Sequence, residues 1–304
     1  MTAADERAAM VVLLRTGRRP WVEYAGLVEE HDGAFAVLED EFQRKAPEQA
    51  SLLEQAAPEE PARPMRELLD QARAELERWD ASGMRLVTVL DRDYPPNLRA
   101  VHDRPPMVFI AGRLTPADAR GVAVVGARKA TPDGVRTAQG IAKHLIASKY
   151  TVISGLAAGI DTAAHTSALT HGGRTVAVIG TGLARAYPPE SAPLQHTIAS
   201  QCAVISQFWP DAPPSRRSFP MRNAVMSGVA LATVVVEASD TSGARMQARL
   251  AREQGRPVFL LASLIERQAW ARDYAGRPGT FVVSEAAEIT AILDPLTASG
   301  PLLA

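Results

Sequence analysis

Short apolar segments recur through the second half of the chain at a spacing that predicts a parallel β-sheet. Amphipathic stretches that suit helices separate most of them. The apolar segments lie near residues 122–125, 151–154, 175–179, 203–206, 232–237 and 257–261. Strands that are apolar on both faces are typical of a sheet covered by helices on each side. The pattern therefore predicts an α/β fold with a doubly wound, mostly parallel sheet.

A small helical region is predicted before the sheet. Helical periodicity runs through residues 5–57 and returns from Met65 to Ser82. The segment 56–64 between them is rich in Pro and Glu, which is typical of a linker. Strands near 85–90 and 107–110 then lead into the sheet.

The end of the chain completes the predicted domain organisation. A last strand is expected at 281–283, followed by a last helix. We therefore predict a helical accessory region over residues 1–80, an α/β domain over 81–294 and a flexible tail over 295–304.

Charge is distributed unevenly between these parts. Residues 1–80 carry 18 acidic and 10 basic side chains, whereas residues 81–304 carry 16 acidic and 23 basic ones. A basic body with an acidic appendage suits a protein that binds nucleic acid or nucleotides. A solvated acidic helical surface beside an ordinary core explains the same split, so charge alone leaves both interpretations open.

Composition argues against a secreted or membrane protein. Cys202 is the single cysteine, so no internal disulfide or cysteine metal cluster can form. The chain starts with acidic residues where a signal peptide needs basic ones. No apolar run approaches the roughly 20 residues that span a bilayer. We expect a cytoplasmic protein without membrane contact.

Two consecutive predicted strands end in turns made of small residues. Gly126-Ala127-Arg128 follows the first strand, and Ser154 to Asp161 follows the second, with a helix after each turn. The carboxyl ends of parallel strands lie at one edge of a sheet, where ligands bind. Free N–H groups at a helix start favour anions. These turns therefore predict a phosphate site.

Further strand ends carry suggestive residues. They are Gly180-Thr181-Gly182, Ser206-Gln207, the loop from Ser215 to Asn223, and Glu237 with Ser242-Gly243 beyond it. The G-x-G-x-x-G dinucleotide fingerprint and the Walker pattern are both absent. Glycines spread over several turns suit a phosphate backbone, or a nucleotide, lying across the edge.

Taken together, these motifs resemble the DprA/Smf family of DNA-processing proteins. The resemblance covers roughly residues 80–262. The motifs that carry it are Tyr94-Pro95-Pro96-Asn97-Leu98, Pro105-Pro106, Gly112, Gly126-Ala127-Arg128 with Thr131 and Gly134, Ser154 to Asp161 with His165, Gly180-Thr181-Gly182 with Tyr187-Pro188, Phe219-Pro220-Met221-Arg222-Asn223, and Ser242-Gly243. The resemblance implies an extended Rossmann fold that binds single-stranded DNA, forms a homodimer and helps to load RecA in natural transformation, that is, in competence and DNA recombination. Family members are not established enzymes, so it implies no catalytic residue, cofactor or metal.

The sequence departs from the family pattern at several positions. Ala224 follows Arg222-Asn223 where the family usually has arginine, and Gln207 replaces a glutamate. Leu261-Ala262-Ser263 stands where the family has Pro-Gly, and an Arg-rich segment over 264–279 replaces a Gly-rich one. No C-terminal winged helix is expected.

Arginines and one aromatic residue are the predicted DNA contacts. Arg128 follows a glycine turn, where its guanidinium can bind a phosphate in a forked geometry. Arg216 and Arg217 flank a loop that holds Phe219, and single-strand binders combine positive charge with a ring that stacks on a base. Phe219 equally suits a core position beneath Pro220.

Other candidates have structural alternatives. Arg222 and Asn223 would either bind phosphate or brace a helix. Asp161 is a natural N-cap, and His165 either contacts a phosphate, transfers a proton or serves as a structural histidine. Glu237 would orient Arg222 or contact a ribose. We assign Asp161, His165 and Glu237 to structural, helix-start roles.

The predicted site is a set of glycines, hydroxyls, arginines and one ring along a single edge. The phosphate- or DNA-binding set is Gly126, Arg128, Ser154, Gly155, Gly159, Gly180, Gly182, Arg216, Arg217, Phe219, Arg222, Asn223, Ser242 and Gly243.

Two other classes of function remain open at this point. A nucleotide-sensing Rossmann domain, or a nucleoside phosphoribohydrolase, would place a small nucleotide at the same edge. The Pro-Gly-Gly-x-Gly-Thr motif of those enzymes is missing, and Ser242-Gly243-Ala244-Arg245 offers no carboxylate in its place. A pure interaction module built on the acidic helices would explain the charge split and leave the glycines unexplained.

Overall fold

The computed structural model describes residues 2–44 and 62–298, which divide into two compact units. The first unit contains the described residues up to Tyr94 together with Pro105–Val108, and the second contains Pro95–Arg104 and the chain from Phe109 onward. The predicted linker over 56–64 lies outside the described residues except for its last three positions, which begin a helix.

The first unit combines four helices with one strand among its described residues. They are α1 (Ala3–Thr16), α2 (Trp21–Glu30), α3 (Ala34–Arg44), α4 (Ala62–Ala81) and β1 (Met84–Thr88). The Glu6 carboxylate accepts hydrogen bonds from the N–H groups of Ala34 at 2.6 Å and Phe35 at 3.2 Å, which stabilises the start of α3. Because α4 packs against β1, this unit runs past residue 80, where we placed the boundary.

The second unit contains the remaining strands and helices. They are α5 (Pro96–Arg99), β2 (Met107–Gly112, whose first two residues lie in the first unit beside β1), β3 (Gly121–Val125), α6 (Pro132–Ala147), β4 (Thr151–Ser154), α7 (Ile160–Thr170), β5 (Thr175–Val178), α8 (Ala192–Gln201), β6 (Ala203–Ser206), α9 (Ser218–Val229), β7 (Ala232–Val235), α10 (Gly243–Glu253), β8 (Val258–Leu261), α11 (Ala262–Arg267), α12 (Ala269–Ala275), β9 (Thr280–Val283) and α13 (Ala286–Ala298).

Every predicted strand is present. The last helix continues to Ala298, so the tail predicted to begin at residue 295 is helical for its first four positions, and residues 299–304 lie outside the described part. Among the described residues, no helix is long and apolar enough to cross a membrane.

The strand order confirms the doubly wound α/β prediction. In the second unit the order is β2-β6-β5-β4-β3-β7-β8-β9, and neighbouring strands are parallel except for β2 and β6. All five residues of β3 are buried, as expected for a central strand covered on both faces. The chain leaves β3 toward β4 on one side and returns at β7 on the other. This reversal opens a crevice at the carboxyl ends of β3 and β7.

Asn97 and Leu98, the last two residues of the motif from Tyr94 to Leu98, have structural roles within the second unit. Asn97 Nδ2 donates to the carbonyl oxygens of Ala119 at 2.8 Å and Val229 at 3.0 Å. Leu98 lies against Gly228, where a Cβ would come 2.6 Å from its Cδ1. These two residues therefore hold α5 against the start of β3 and the end of α9.

We expect Asn97→Ala to lower the free energy of unfolding by about 1–3 kcal/mol, because it leaves two carbonyl groups without their donor. Urea denaturation measures the change. Ser200→Ala is the control, since Ser200 is exposed and its Oγ donates to the carbonyl oxygen of Thr197 within α8. Equal stability of the Asn97→Ala variant and the wild type would contradict this role.

Candidate nucleic-acid interface

A groove of about 940 Å³ opens at the carboxyl ends of β3 and β7. Its walls come from the turn after β3, the first turn of α6, the start of α9 and the segment between β7 and α10. This is the topological switch point, where open α/β sheets bind ligands. Seven members of the predicted binding set line it: Gly126, Arg128, Phe219, Arg222, Asn223, Ser242 and Gly243.

Arg128, Phe219 and Tyr187 form a stack at this edge. The guanidinium carbon of exposed Arg128 lies 5.3 Å from the centre of the Phe219 ring. The centre of the Tyr187 ring lies 5.4 Å away from that of Phe219, at an interplanar angle of 47°. Gly180 makes room for Phe219, because a Cβ there would come 2.9 Å from the ring. Phe219 is half-buried, so part of its ring stays open to a partner.

Arg222 is buried beneath the turn that follows β4, over residues 155–159, and holds that turn in place. Its Nη1 donates to the carbonyl oxygens of Gly155 at 2.6 Å and Val178 at 3.0 Å. Burial lowers the pKa of the Arg222 guanidinium, nearby Asp161 opposes that shift, and Arg128 adds to it. Nε has no hydrogen-bond partner in the described part of the chain. The geometry gives Arg222 a structural role, but the parts that it holds are the turn after β4 and the end of β5, and not a helix as the structural alternative had it.

Position 155 needs a glycine because the Arg222 side chain occupies the space beside it. Gly155 does not line the groove. A Cβ at position 155 would come 1.8 Å from Nη1 of Arg222. Ser154 is also buried, and its hydroxyl donates to the carbonyl oxygen of Val124 at 2.7 Å. We predicted Ser154 and Gly155 as part of a phosphate-binding turn, and the structure shows that the Ser154 hydroxyl and the Gly155 N–H and carbonyl groups are hydrogen-bonded within the protein.

Asp161 fills the turn that we expected to hold a phosphate. Its carboxylate accepts from the N–H groups of Gly155 at 3.1 Å and Ala157 at 3.4 Å. Burial raises the pKa of Asp161, and Arg222 opposes that shift. The N-cap of α7 is Gly159, with φ of 80°, and not Asp161 as predicted. Asp161 lies inside the first turn of α7 and reaches back to the preceding loop.

His165 lies in the core. Its Nδ1 is 2.7 Å from Thr175 Oγ1, and that hydroxyl donates to the carbonyl oxygen of Val152 at 2.8 Å. The hydroxyl therefore accepts a hydrogen bond from Nδ1–H, which assigns the proton of the neutral ring to Nδ1. Burial lowers the pKa of His165 to about 3, so the ring is neutral at physiological pH. Of the three roles considered for His165, these observations support that of a structural histidine.

Close backbone packing explains three further glycines of the predicted set. A Cβ at Gly126 would come 2.5 Å from Ile160, one at Gly159 would come 2.3 Å from the carbonyl oxygen of Ala127, and one at Gly182 would come 2.1 Å from that of Trp209. The turns therefore need small residues in order to pack against one another. Packing between turns therefore accounts for these three glycines without a ligand.

Glu237 occupies the start of α6. Its Oε2 accepts from the Thr131 N–H at 3.0 Å, and its Oε1 accepts from the Thr131 hydroxyl at 2.5 Å. Thr131 is the N-cap of α6 and in turn accepts from the Gly134 N–H at 3.0 Å. We expected Glu237 to orient Arg222 or to contact a ribose. The carboxylate beside Arg222 is instead Asp161.

The remaining predicted residues lie around α9 and α10. Ser242 is the N-cap of α10 and accepts from the Arg245 N–H at 3.2 Å. Asn223 Nδ2 donates to the carbonyl oxygen of Gly243 at 3.2 Å, which joins the two helices. Arg216 and Arg217 are exposed just before α9, outside the lining of the groove.

Two exposed cations that we did not single out line the groove, Lys129 and Arg267. Lys129 directly follows Arg128, and Arg267 belongs to the Arg-rich segment over 264–279. The local excess of positive charge was the available signal in both cases. In the described part of the chain, no cluster of three or more His, Cys, Asp or Glu residues suits a metal ion.

Comparison with known proteins identifies the family. The family model of DNA recombination-mediator protein A matches residues 85–290. The chain belongs to this family. The match extends beyond the segment that carried the DprA/Smf resemblance, and it confirms that resemblance.

Several relatives carry the same family names. Protein Smf of Synechocystis is 39% identical over 190 residues, covering 61% of this chain and 48% of that protein. DNA processing protein DprA of Streptococcus pneumoniae is 38% identical over 178 residues, covering 59% and 63%. DprA of Bacillus subtilis is 31% identical over 205 residues, covering 67% of each. The chain thus spans about half to two thirds of the length of these relatives.

Two solved structures share the fold. The crystal structure of DprA from Streptococcus pneumoniae has a TM-score of 0.69 at 26% identity and covers 95% of this chain and 98% of that one. DNA processing protein A from Helicobacter pylori has a TM-score of 0.61 at 22% identity, covering 70% and 98%. The Helicobacter structure concerns the single-stranded DNA binding mode of that protein.

Proposed function

We propose that this family member binds single-stranded DNA at the carboxyl edge of its sheet and acts in DNA processing. The stack of Arg128, Phe219 and Tyr187 beside the groove is the observation that carries the proposal. A cation beside partly exposed aromatic rings is the combination that single-strand binders use, because charge follows the backbone and rings stack on bases. The single-stranded DNA binding of the Helicobacter relative supports it.

The proposal assigns different tasks to the cations. Arg128, Lys129 and Arg267 neutralise phosphates around the groove, and Arg216 and Arg217 extend the path before α9. Arg222 contributes indirectly, because its hydrogen bond to Gly155 holds the turn after β4 in place. No catalytic step is assigned to any of these residues.

The family resemblance extends the proposal to the cellular role. We infer a cytoplasmic homodimer that helps to load RecA onto single strands during natural transformation. The acidic first unit would then serve as an accessory surface for a partner. Pull-down from native extract with the full chain, compared with a chain lacking residues 1–60, tests the partner assignment.

A nucleotide-binding function is the second candidate, and the volume of the groove favours it. Glu237 at α6 and Asp161 at the turn before α7 weigh against it, because both occupy N–H groups that a nucleotide phosphate would need. A thermal-shift comparison of nucleotides with oligonucleotides discriminates the two functions.

Titration of labelled oligo-dT at about 50 mM and about 200 mM salt tests DNA binding. We expect binding that weakens steeply with salt, because phosphate neutralisation releases counterions. Absence of binding at low salt by folded protein would overturn the proposal.

Arg216→Ala is expected to lower the slope of log K against log [salt] by about 0.7, the value for one phosphate contact on a single strand. The same oligo-dT titration measures it. Arg249→Ala is the matched control, because Arg249 is exposed, pairs with Glu253 at 2.7 Å and does not line the groove. A slope that falls equally in both variants would argue against a contact at Arg216.

A further inference from the structure

Glu237 holds the position that an anionic ligand would take at the start of α6. Its two oxygens accept the N–H and the hydroxyl of Thr131. A Cβ at Gly134 would come 2.4 Å from the carboxyl carbon of Glu237, so the absence of a side chain there lets the carboxylate lie over the first helical turn. The anion site of α6 is therefore filled by the chain itself.

The surroundings of Glu237 otherwise suit a phosphate. Lys129 is exposed and lines the same groove. Arg222 also lines the groove, but its Nη1 is used by two backbone carbonyl oxygens, and the carboxylate beside it is Asp161. Without the carboxylate, the groove would offer the N–H and the hydroxyl of Thr131 and the cation of Lys129 to an anion.

We propose that Glu237 is a specificity-determining residue that excludes phosphate monoesters from the groove. A monoester phosphate carries about −1.5 to −2 charges at neutral pH, whereas each diester phosphate of a strand carries one. A fixed carboxylate therefore repels a free mononucleotide more strongly than a DNA backbone held at Arg128. This inference deepens the proposed function, on which it rests.

Glu237→Gln tests the inference with thymidine 5′-monophosphate as the probe in isothermal titration calorimetry. Glutamine keeps the length of the side chain and removes its charge. We expect the variant to bind the mononucleotide at least about tenfold more tightly than the wild type, since placing two negative charges close together in a site costs this much or more. We expect little change in its affinity for oligo-dT.

Asp133→Asn is the matched control. Asp133 lies in the first turn of the same helix and lines the same groove, but it is exposed and pairs with Arg136. Its variant removes the same charge and leaves the Thr131 N–H occupied. Unchanged mononucleotide binding in Asp133→Asn, with a gain in Glu237→Gln, supports the inference.

Two outcomes would overturn it: no gain in Glu237→Gln, or an equal gain in both variants. If Glu237→Gln does not fold, Glu237→Ala replaces it, and we expect the same gain in affinity for the mononucleotide. Oligo-dT titration of the wild type separates the two proposals. Failure of DNA binding there removes the proposed function, while the mononucleotide measurement still reports on Glu237.

Discussion

An Arg222→Met variant is expected to lose about 3–5 kcal/mol of its free energy of unfolding at neutral pH. The substitution leaves the carbonyl groups of Gly155 and Val178 without their donor and leaves buried Asp161 without a neighbouring cation. Methionine retains much of the volume, so the loss reports on charge and hydrogen bonds. Urea denaturation followed by circular dichroism measures it.

The loss in Arg222→Met is expected to depend on pH in a definite direction. Burial already raises the pKa of Asp161 in the folded protein, and removing Arg222 takes away a cause that lowers it. The folded state then binds a proton that the unfolded state releases. Stability therefore falls as the pH rises from the ordinary aspartate pKa through the raised one, and acid partly rescues the variant.

A second substitution serves as the control. Adding Asp161→Asn to Arg222→Met removes the unpaired charge, so the double variant is expected to be more stable at neutral pH than Arg222→Met and to lose the added pH dependence. A double variant with the same stability and pH profile as the single one would show that Asp161 and Arg222 are not coupled.

A Phe219→Ala variant is expected to bind oligo-dT about 5- to 150-fold more weakly than the wild type. This range corresponds to about 1–3 kcal/mol for the loss of one stacked base. The slope of affinity against salt is expected to stay unchanged, because the ring carries no charge. Fluorescence anisotropy at two salt concentrations measures both quantities.

The controls for Phe219 separate stacking from folding. Phe219→Tyr keeps a ring face and is expected to retain binding. Phe35→Ala removes a half-buried phenylalanine from the first unit, outside the groove lining, and is expected to leave affinity unchanged. Binding of Phe219→Ala at wild-type affinity would show that the ring serves the packing beside Gly180 and Tyr187 instead.

The groove could hold either a mononucleotide or a DNA strand, and these experiments together distinguish the two ligands. The groove lies at the topological switch point of the sheet, where other open α/β sheets bind small ligands. Here the protein's own carboxylates take the N–H groups of two turns, through Glu237 and Asp161. Open cations and rings remain at the rim, at Arg128 and Phe219. This division favours a polymer held along the edge over a mononucleotide held inside it.

Much of the fold could be predicted from the sequence because the strands are short, mostly apolar and separated by helical patterns. All nine predicted strands are present, and the turns after β3 and β4 lie at one edge because the strands are parallel. The boundary at residue 80 was harder to predict. Local periodicity ends α4 near Gly83 but carries no information on which later strand that helix packs against.

The sequence predicted the edge of the sheet at which the candidate groove opens, but it predicted the roles of the individual residues there only in part. Small residues at strand ends signal a close approach of backbone, but they do not say whether a ligand or another turn makes that approach. Gly155 meets Arg222, and Gly182 meets the carbonyl oxygen of Trp209. Exposed Arg128 and half-buried Phe219 were recognisable from residue chemistry, because charge and aromatic rings mark a single-strand surface in any fold.

The sequence by itself determined the family, the strands and the edge at which the groove opens, because periodicity and turn residues are local properties. Only the tertiary structure decided which groups of that edge are free. Glu237 reaches Thr131 across 106 residues, and Arg222 reaches Gly155 across 67. A hydrogen bond between residues so far apart depends on how the strands are ordered in the sheet. For that reason, no local pattern could show that the turn N–H groups were already taken.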